Sequence, residues 1–290
     1  MTTDRLPAVL RLAAFPAAPN GGNPAGVVID ADARDLDDHS MREIAAKVGY
    51  SETAFVVDGP IDASRRHYKV RYFSPEVEVP FCGHATIALA VAIATRIGPG
   101  PLTFKTLSGP ISVDTLLDLQ GQILAALTSA MPEHRTVPRS ALSAALTCLG
   151  WTEHDLDPRI PPAVAYAGAR HLILSVAERS LLTAMRYDFN QLQRLSQQNS
   201  WVTLQLGYMQ TSEIHHVRAP FPFGGVYEDP ATGAGAAAYA AYLRNIGVIA
   251  APIDIQINQG EDMGRPSRIQ VAVPPSGPVT VAGTATVIST

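Results

Sequence analysis

Cys82-Gly83-His84-Ala85-Thr86-Ile87-Ala88-Leu89-Ala90-Val91-Ala92-Ile93-Ala94-Thr95-Arg96-Ile97-Gly98 is apolar on nearly every side when wound as a helix. A helix with no polar stripe has no face to give to water, so this stretch predicts a helix over Ala85 to Ile97 buried all round. The signature returns at Gly235 to Ile246, with Ala236, Ala237, Ala238, Tyr239, Ala240, Ala241, Tyr242 and Leu243. Laid over Ala234 to Gly247, Ala85 to Gly98 matches alanine at several positions and the closing Ile-Gly pair, Ile97-Gly98 on Ile246-Gly247. The two lie about half a chain apart, which predicts two similar halves.

Both helices open from glycine-containing loops, Phe81-Cys82-Gly83-His84 and Pro230-Ala231-Thr232-Gly233-Ala234-Gly235. Such loops expose backbone N–H groups, and a helix start adds roughly half a positive charge, a seat for a carboxylate or enolate oxygen. Two seats facing each other across an interdomain cleft would bracket a small acidic substrate. Around the first helix, Ala8 to Phe15, Ala25 to Ile29, Thr53 to Val57, Tyr68 to Phe73 and Gly109 to Leu117 read as strands. Asp37 to Val48 reads as a helix capped near Asp37 and ended by Gly49, with Met41, Ile44, Ala45 and Val48 on one face. The fold class is α+β. Ala130 to Pro138 and Trp151 to Pro162 read as connectors, the latter with a short helix start at Thr152 to Asp157. The first half is placed at 1–118 plus a return strand at 279–290, and the second at 119–278.

A chain of 290 residues, 47% hydrophobic and 17% charged, can bury one large core or two modest ones. Its 22 basic and 26 acidic side chains leave a formal charge of −4, and no basic run is interleaved with aromatics, so nucleic acid is not an expected partner. The only two cysteines, Cys82 and Cys148, lack C-x-x-C spacing, which excludes a disulfide framework and fits a reducing cytoplasm. Met1 to Leu12 has no continuous apolar core and eighteen apolar residues nowhere run together, so neither a secretion signal nor a membrane span is expected. No G-x-G-x-x-G after a strand, no Walker loop and no G-x-S-x-G elbow occurs, leaving nucleotide chemistry unsupported. No cofactor and no metal is expected.

Glu52, between a helix stop and an apolar strand, reads either as a half-buried acid/base with a raised pKa or as a solvated strand-edge carboxylate. His84 reads as a catalytic imidazole or as a helix-start histidine holding a backbone group, because a helix start disfavours its charged form. Asp229, just ahead of the second buried helix, reads on its own as an N-terminal cap. Cys82 is open to a thiolate-nucleophile reading, though no cysteine stands at the second helix start to complete a two-thiol pair. His215 and His216 lack a partner at metal-ligand spacing and read as structural. Glu76 and Glu78, alternating with Val77 and Val79, read as the solvated face of a strand.

Five segments then occur in one order: Gly22-Asn23-Pro24-Ala25-Gly26-Val27-Val28, Ser51-Glu52-Thr53-Ala54-Phe55, Arg71-Tyr72-Phe73-Ser74-Pro75 leading to Phe81-Cys82-Gly83-His84-Ala85-Thr86, Glu228-Asp229-Pro230-Ala231-Thr232-Gly233, and Gln259-Gly260-Glu261-Asp262-Met263-Gly264-Arg265-Pro266-Ser267. Together they cover nearly the whole chain, and the chain resembles the PhzF family of phenazine-biosynthesis isomerases and their relatives. The resemblance implies a diaminopimelate-epimerase-like fold, two pseudo-symmetric halves each a curled mixed sheet around a central buried helix, with the active site between them. It implies Glu52 as the proton carrier, His84 and Asp229 as groups that orient and assist it, and Asn23, Ser51, Gly83, Gly233 and Ala234 as substrate-binding positions, with Gly83 and Gly233 offering backbone donors.

In PhzF-type chemistry a proton leaves a carbon activated by neighbouring unsaturation and returns elsewhere on the same face, which needs one movable acid/base and no cofactor. The resemblance thus implies a homodimeric, cytoplasmic isomerase that shifts a double bond in a small unsaturated carboxylic acid during bacterial secondary metabolism. The family often carries Ser directly after the Thr-Gly of its fourth motif, where the hydroxyl can bind the substrate carboxylate, and this chain has Ala234. A changed donor alters which acid is bound more readily than it alters proton transfer, so an unsaturated proline-derived acid of an antibiotic pathway is implied as much as a dihydroanthranilate. Two other functions stay open: an amino- or hydroxy-acid epimerase or dehydratase using Cys82, and a non-catalytic small-acid binding protein.

Overall fold

The computed structural model describes residues 7–29 and 36–288. Residues 1–6 of the Met1 to Leu12 stretch lie outside the described residues. The chain divides into two compact units, one made of 1–16, 22–127 and 282–290 and the other of 17–21 and 128–281.

In the first unit β1 (Leu10–Ala14) pairs antiparallel with β2 (Asn23–Val28). The helix α1 (Asp38–Val48) follows, then β3 (Thr53–Val56), β4 (His67–Phe73) and the two-residue β5 (Glu78–Val79). After the helix α2 (Gly83–Ile97) come β6 (Gly100–Thr106), β7 (Gly109–Leu117) and β8 (Ile123–Thr128). β2 and β3 run parallel, as do β4 and β6, while β3 with β4, β6 with β7 and β7 with β8 are antiparallel, so the sheet is mixed.

α1 forms as its sequence predicts. The Asp37 carboxylate accepts from Ser40 N at 2.8 Å, and Gly49, at φ 74, closes the C-terminus by donating to Ala45 O. Met41, Ile44, Ala45 and Val48 pack on Val28, Phe55 and Phe73, one face of the sheet. α2 packs against β1, β2, β3 and β7. Every residue from His84 to Ala94 is buried. Alanines let the strands approach closely, while Ile87, Leu89 and Ile93 each remove a branched side chain from water, worth about 2–3 kcal/mol apiece.

The second unit holds β9 (Glu133–Thr136), α3 (Arg139–Leu149), β10 (Ala163–Tyr166), β11 (Arg170–Ser175), α4 (Arg179–Thr183), α5 (Phe189–Asn199), β12 (Thr203–Met209) and β13 (Ile214–Arg218). A two-stranded ribbon follows, β14 (Pro220–Phe221) with β15 (Val226–Glu228), then α6 (Gly233–Asn245), β16 (Ile253–Gln259) and β17 (Ser267–Val273). Its sheet runs β9, β10, β11, β12, β13, β16, β17, with parallel pairs at β11–β12 and β13–β16. Leu172, Leu174, Leu204 and Leu206 join α3 and α5 in a core that also holds Trp151 and Trp201. α6 packs against β9, β10, β11, β12 and β17. The chain closes through β18 (Thr280–Gly283) and β19 (Ala285–Val287), the latter beside β1. Each unit is therefore a mixed sheet on a buried central helix, the α+β arrangement expected.

Several local readings are corrected. Ala130 to Pro138 is not a plain connector, since it contains β9, whose four residues are all exposed and carry no apolar alternation to read. Glu78 is not solvated: Arg71 grips it with Nε to Oε1 at 2.7 Å and Nη2 to Oε2 at 2.6 Å. Asp118 sits at the tip of the β7–β8 hairpin, its Oδ1 accepting from Gln120 N and Gln122 N, while the chain passes between units at Leu127–Thr128 and Val281–Ala282. Among the described residues no helix is long and apolar enough to cross a membrane.

Candidate active site

α2 begins at Gly83, two residues earlier than its apolar run, with Cys82 as N-cap in extended geometry. The Cys82 side chain makes no capping hydrogen bond and no acidic residue lies in the first turn. The parallel pairing of β2 with β3 sets Ser51 and Glu52 at the same end of the sheet, Gly26 N donating to Glu52 O at 3.1 Å.

The side chains converge there. Glu52 Oε2 lies 3.4 Å from His84 Nε2, with the two side chains 15% and 8% exposed, so Glu52 is not a solvated strand-edge residue. Ser51 Oγ is 3.5 Å from the same nitrogen, and Cys82 Sγ is 3.4 Å from His84 Nδ1. Thr86 Oγ1 donates to Cys82 O at 2.7 Å, so its other contact, with Tyr72 Oη at 2.7 Å, is one in which tyrosine donates. Burial raises the Tyr72 phenol far above its ordinary value and keeps it a neutral donor. This chain of hydrogen bonds fixes the loop that presents Cys82, Gly83 and His84. Asn23 opens β2 and is buried.

Asp229, Gly233 and Ala234 belong to the second unit. Asp229 is not the cap of α6. That position is Thr232, whose hydroxyl donates to Asp229 Oδ2 at 2.6 Å and whose side chain makes no capping hydrogen bond of its own to the first turn. Gln259, fully buried, holds both residues: its Nε2 donates to Asp229 O at 2.7 Å and to Thr232 Oγ1 at 3.0 Å, and its Oε1 accepts from Thr232 N at 3.3 Å. Next to them the buried Arg218 pairs with Glu228 through Nε to Oε1 at 2.9 Å and through Nη2 to Oε2, and its Nη1 donates to Leu182 O at 2.9 Å. Gly233 and Ala234 are half-buried in the first turn of α6.

Sequence reasoning missed Gln259 as a site residue, although it stood in the fifth motif, because its partners are remote in the chain. It missed the Arg218–Glu228 pair as well, ten residues apart and brought together by the β14–β15 ribbon. His215 Nδ1 meets Tyr239 Oη at 3.2 Å, and His216 Nδ1 meets Glu261 Oε2 at 2.8 Å.

Cap to cap, Cys82 of α2 corresponds to Thr232 of α6, so one helix mouth offers a thiol and the other a hydroxyl. Within the first unit, the mouth of α2 can accept a proton on Glu52 and hold an anionic oxygen with helix-start donors.

Comparison with known proteins agrees with this architecture. The structure resembles the crystal structure of a Bacillus anthracis phenazine biosynthesis protein of the PhzF family, with TM-score 0.85 and 24% identity over 97% of this chain and 96% of that one. It also shares its fold with a hydroxyproline epimerase from Agrobacterium vitis, TM-score 0.67 and 12% identity over 100% and 92% of the two chains. In sequence it is 31% identical to the uncharacterized isomerase YddE of Escherichia coli over 97% of this chain and 96% of that protein. It is 29% identical to the trans-2,3-dihydro-3-hydroxyanthranilate isomerase of Pseudomonas chlororaphis, over 88% and 86%. The family described as phenazine biosynthesis-like protein, PhzC-PhzF, matches residues 12–290, and the chain belongs to it.

Proposed function

We propose that the protein is a cofactor-independent isomerase that shifts a double bond in a small unsaturated carboxylic acid, with Glu52 carrying the proton. The observation that supports it most is the placement of Glu52 Oε2 at 3.4 Å from His84 Nε2, both side chains largely buried at the mouth of α2. A carboxylate there can take a proton from an activated carbon and return it to another without exchanging freely with bulk water. His84 positions that carboxylate, and the helix start stabilises the negative charge that grows on the substrate as the proton leaves. Asp229, whose carboxylate accepts from the Thr232 hydroxyl, is assigned the assisting role that the family resemblance implies. The related sequence of a trans-2,3-dihydro-3-hydroxyanthranilate isomerase points to the same reaction class. Ala234 presents a methyl group in the first turn of α6, which favours an acid other than that one.

The test is proton NMR of the purified chain in D₂O, with a dihydro-hydroxyanthranilate and an unsaturated proline acid in parallel and Glu52→Gln as control. A double-bond shift or deuterium uptake seen only with the unmutated protein supports the reading and chooses the acid. Glu52→Gln keeps the shape of the side chain and lowers the rate by about 10²–10⁴-fold, the usual worth of a general acid/base. A fully active Glu52→Gln variant would overturn the assignment. Cys82→Ser keeps a rate near the parent's under this reading, whereas a collapse would favour a thiol base and hence epimerisation.

A further inference from the structure

The mouth of α2 is buried at Cys82 and His84 but only half-buried at Gly83, so it opens at the glycine. Nothing in the backbone requires glycine there. Gly83 is the first residue of α2 and does not take the left-handed conformation. Apart from its chain neighbours and the backbone of α2 itself, a Cβ built on it would meet a single atom within 4 Å, Phe81 Cε1 at 4.0 Å. Alanine fits that space and forms helix better, so neither packing nor helix formation accounts for the glycine. What the missing methyl leaves is room at the helix start, next to His84, whose Nε2 lies 3.4 Å from Glu52 Oε2.

Phe81 walls that room. Its half-buried ring stands across the buried ring of Tyr72, centroids 6.0 Å apart and planes at 77°, the edge-to-face arrangement that aromatic pairs favour. Tyr72 is itself anchored by its hydrogen bond to Thr86 Oγ1, so the wall is held in place before a ligand arrives. A fixed phenyl ring offers apolar area and no hydrogen bond, and it meets a flat ring more closely than a puckered one. The helix start beside it favours a carboxylate, so the two contacts together describe a carboxylic acid carried on a flat ring.

We propose that Phe81 determines specificity at this site, packing against a ring flattened by its double bonds while the carboxylate of that ring lies at the start of α2, and that Gly83 keeps the space between them. The substrate is thereby narrowed from any small unsaturated acid to a flat cyclic one. The role of Phe81 in turnover rests on the isomerase reading given above, but its preference in binding does not. All the residues involved belong to the first unit.

The experiment titrates the full chain with benzoate, a flat acid that has no proton to shuttle, and with cyclohexanecarboxylate, its puckered counterpart, each followed by saturation-transfer NMR. The parent binds benzoate the more tightly, by about tenfold. Phe81→Leu keeps the apolar bulk but not the ring, and brings the two affinities together. Gly83→Ala weakens benzoate by about tenfold while its denaturation midpoint stays at or above the parent's, which guards against a Phe81 variant that merely loosens the fold. A parent that binds neither acid or does not tell them apart, or a benzoate affinity untouched by both substitutions, overturns the proposal. With the acid chosen by NMR in D₂O, Phe81→Leu raises KM more than it lowers kcat. A loss confined to kcat would make Phe81 a support of the loop rather than a contact of the substrate, and overturns it too. If neither acid is turned over, or Glu52→Gln stays fully active, the isomerase reading falls while the benzoate contrast still decides Phe81.

Discussion

Gln259 joins two residues of the second helix mouth through a single side-chain amide, which meets Asp229 O, Thr232 Oγ1 and Thr232 N. Gln259→Leu leaves a buried carbonyl and a buried N–H without that partner, a cost of about 1–3 kcal/mol. It also frees Thr232, and through it the Asp229 carboxylate, so we expect kcat to fall by about 10–100-fold, as for other supporting residues, with a smaller change in KM. Steady-state kinetics on the acid selected by NMR checks this, and an unchanged kcat would remove the positioning role. Such a residue is hidden from sequence inspection because an amide in a strand has no spacing that betrays its partners. Glu52 was legible as a carboxylate at a strand start, but its approach to His84 was not, because β3, β4 and β5 intervene in the chain. The order of the motifs supplied what spacing lacked.

The two central helices were legible because burial on all sides demands apolar residues at every position, and few other elements impose that. Their ends were read less well. α2 starts at Gly83 and α6 at Gly233, each two residues before the apolar run, because an N-terminal turn tolerates glycine and polar residues that periodicity ignores. Inside α6, Gly235 is required by close approach: a Cβ there would stand 2.3 Å from Gln205 Nε2 and 2.4 Å from its Cδ. Gln205 is fully buried and donates to Thr203 Oγ1 at 2.8 Å, so it has little room to retreat. Gly235→Ala therefore destabilises the protein by about 1–3 kcal/mol despite the better helix propensity of alanine. Adding Gln205→Ala makes the two changes strongly non-additive, which a double-mutant cycle by chemical denaturation measures. Additive losses would mean that the contact is not what limits the site. The strand β9 was missed for the opposite reason, since an edge strand with four exposed residues gives no alternation to read.

Across the whole molecule, the division into halves was visible in the repeated helix, while the exact crossing was not, because β7 and β8 form a continuous hairpin through the turn at Asp118. Stability at low pH belongs to this scale. His171 is wholly buried beside Thr203 Oγ1, at 2.8 Å from Nδ1, and burial pushes its imidazole down to about 3 from an ordinary 6.5. Burial lowers His215 as well. In the unfolded chain these histidines take up protons below about 6.5, whereas the folded protein refuses one at His171 until about 3. Their effect on stability is therefore absent above that window and grows as the pH falls through it, by up to about 1.4 kcal/mol per unit for His171 alone. His171→Gln removes that share of the slope between about pH 6.5 and pH 4.5, read as the change in denaturation free energy. An equal slope in the variant would show that His171 is not the group responsible.

The core shared by α3, α5, β11 and β12 has an optical consequence. Trp151 and Trp201 are both buried there, and the chain has only these two tryptophans. Indole emission is thus blind to the first unit, while far-ultraviolet circular dichroism weighs the strands and helices of both. A denaturant titration followed by the two signals amounts to a separate stability measurement for each unit: coincident curves mean one cooperative transition, and curves that part give the order in which the halves let go.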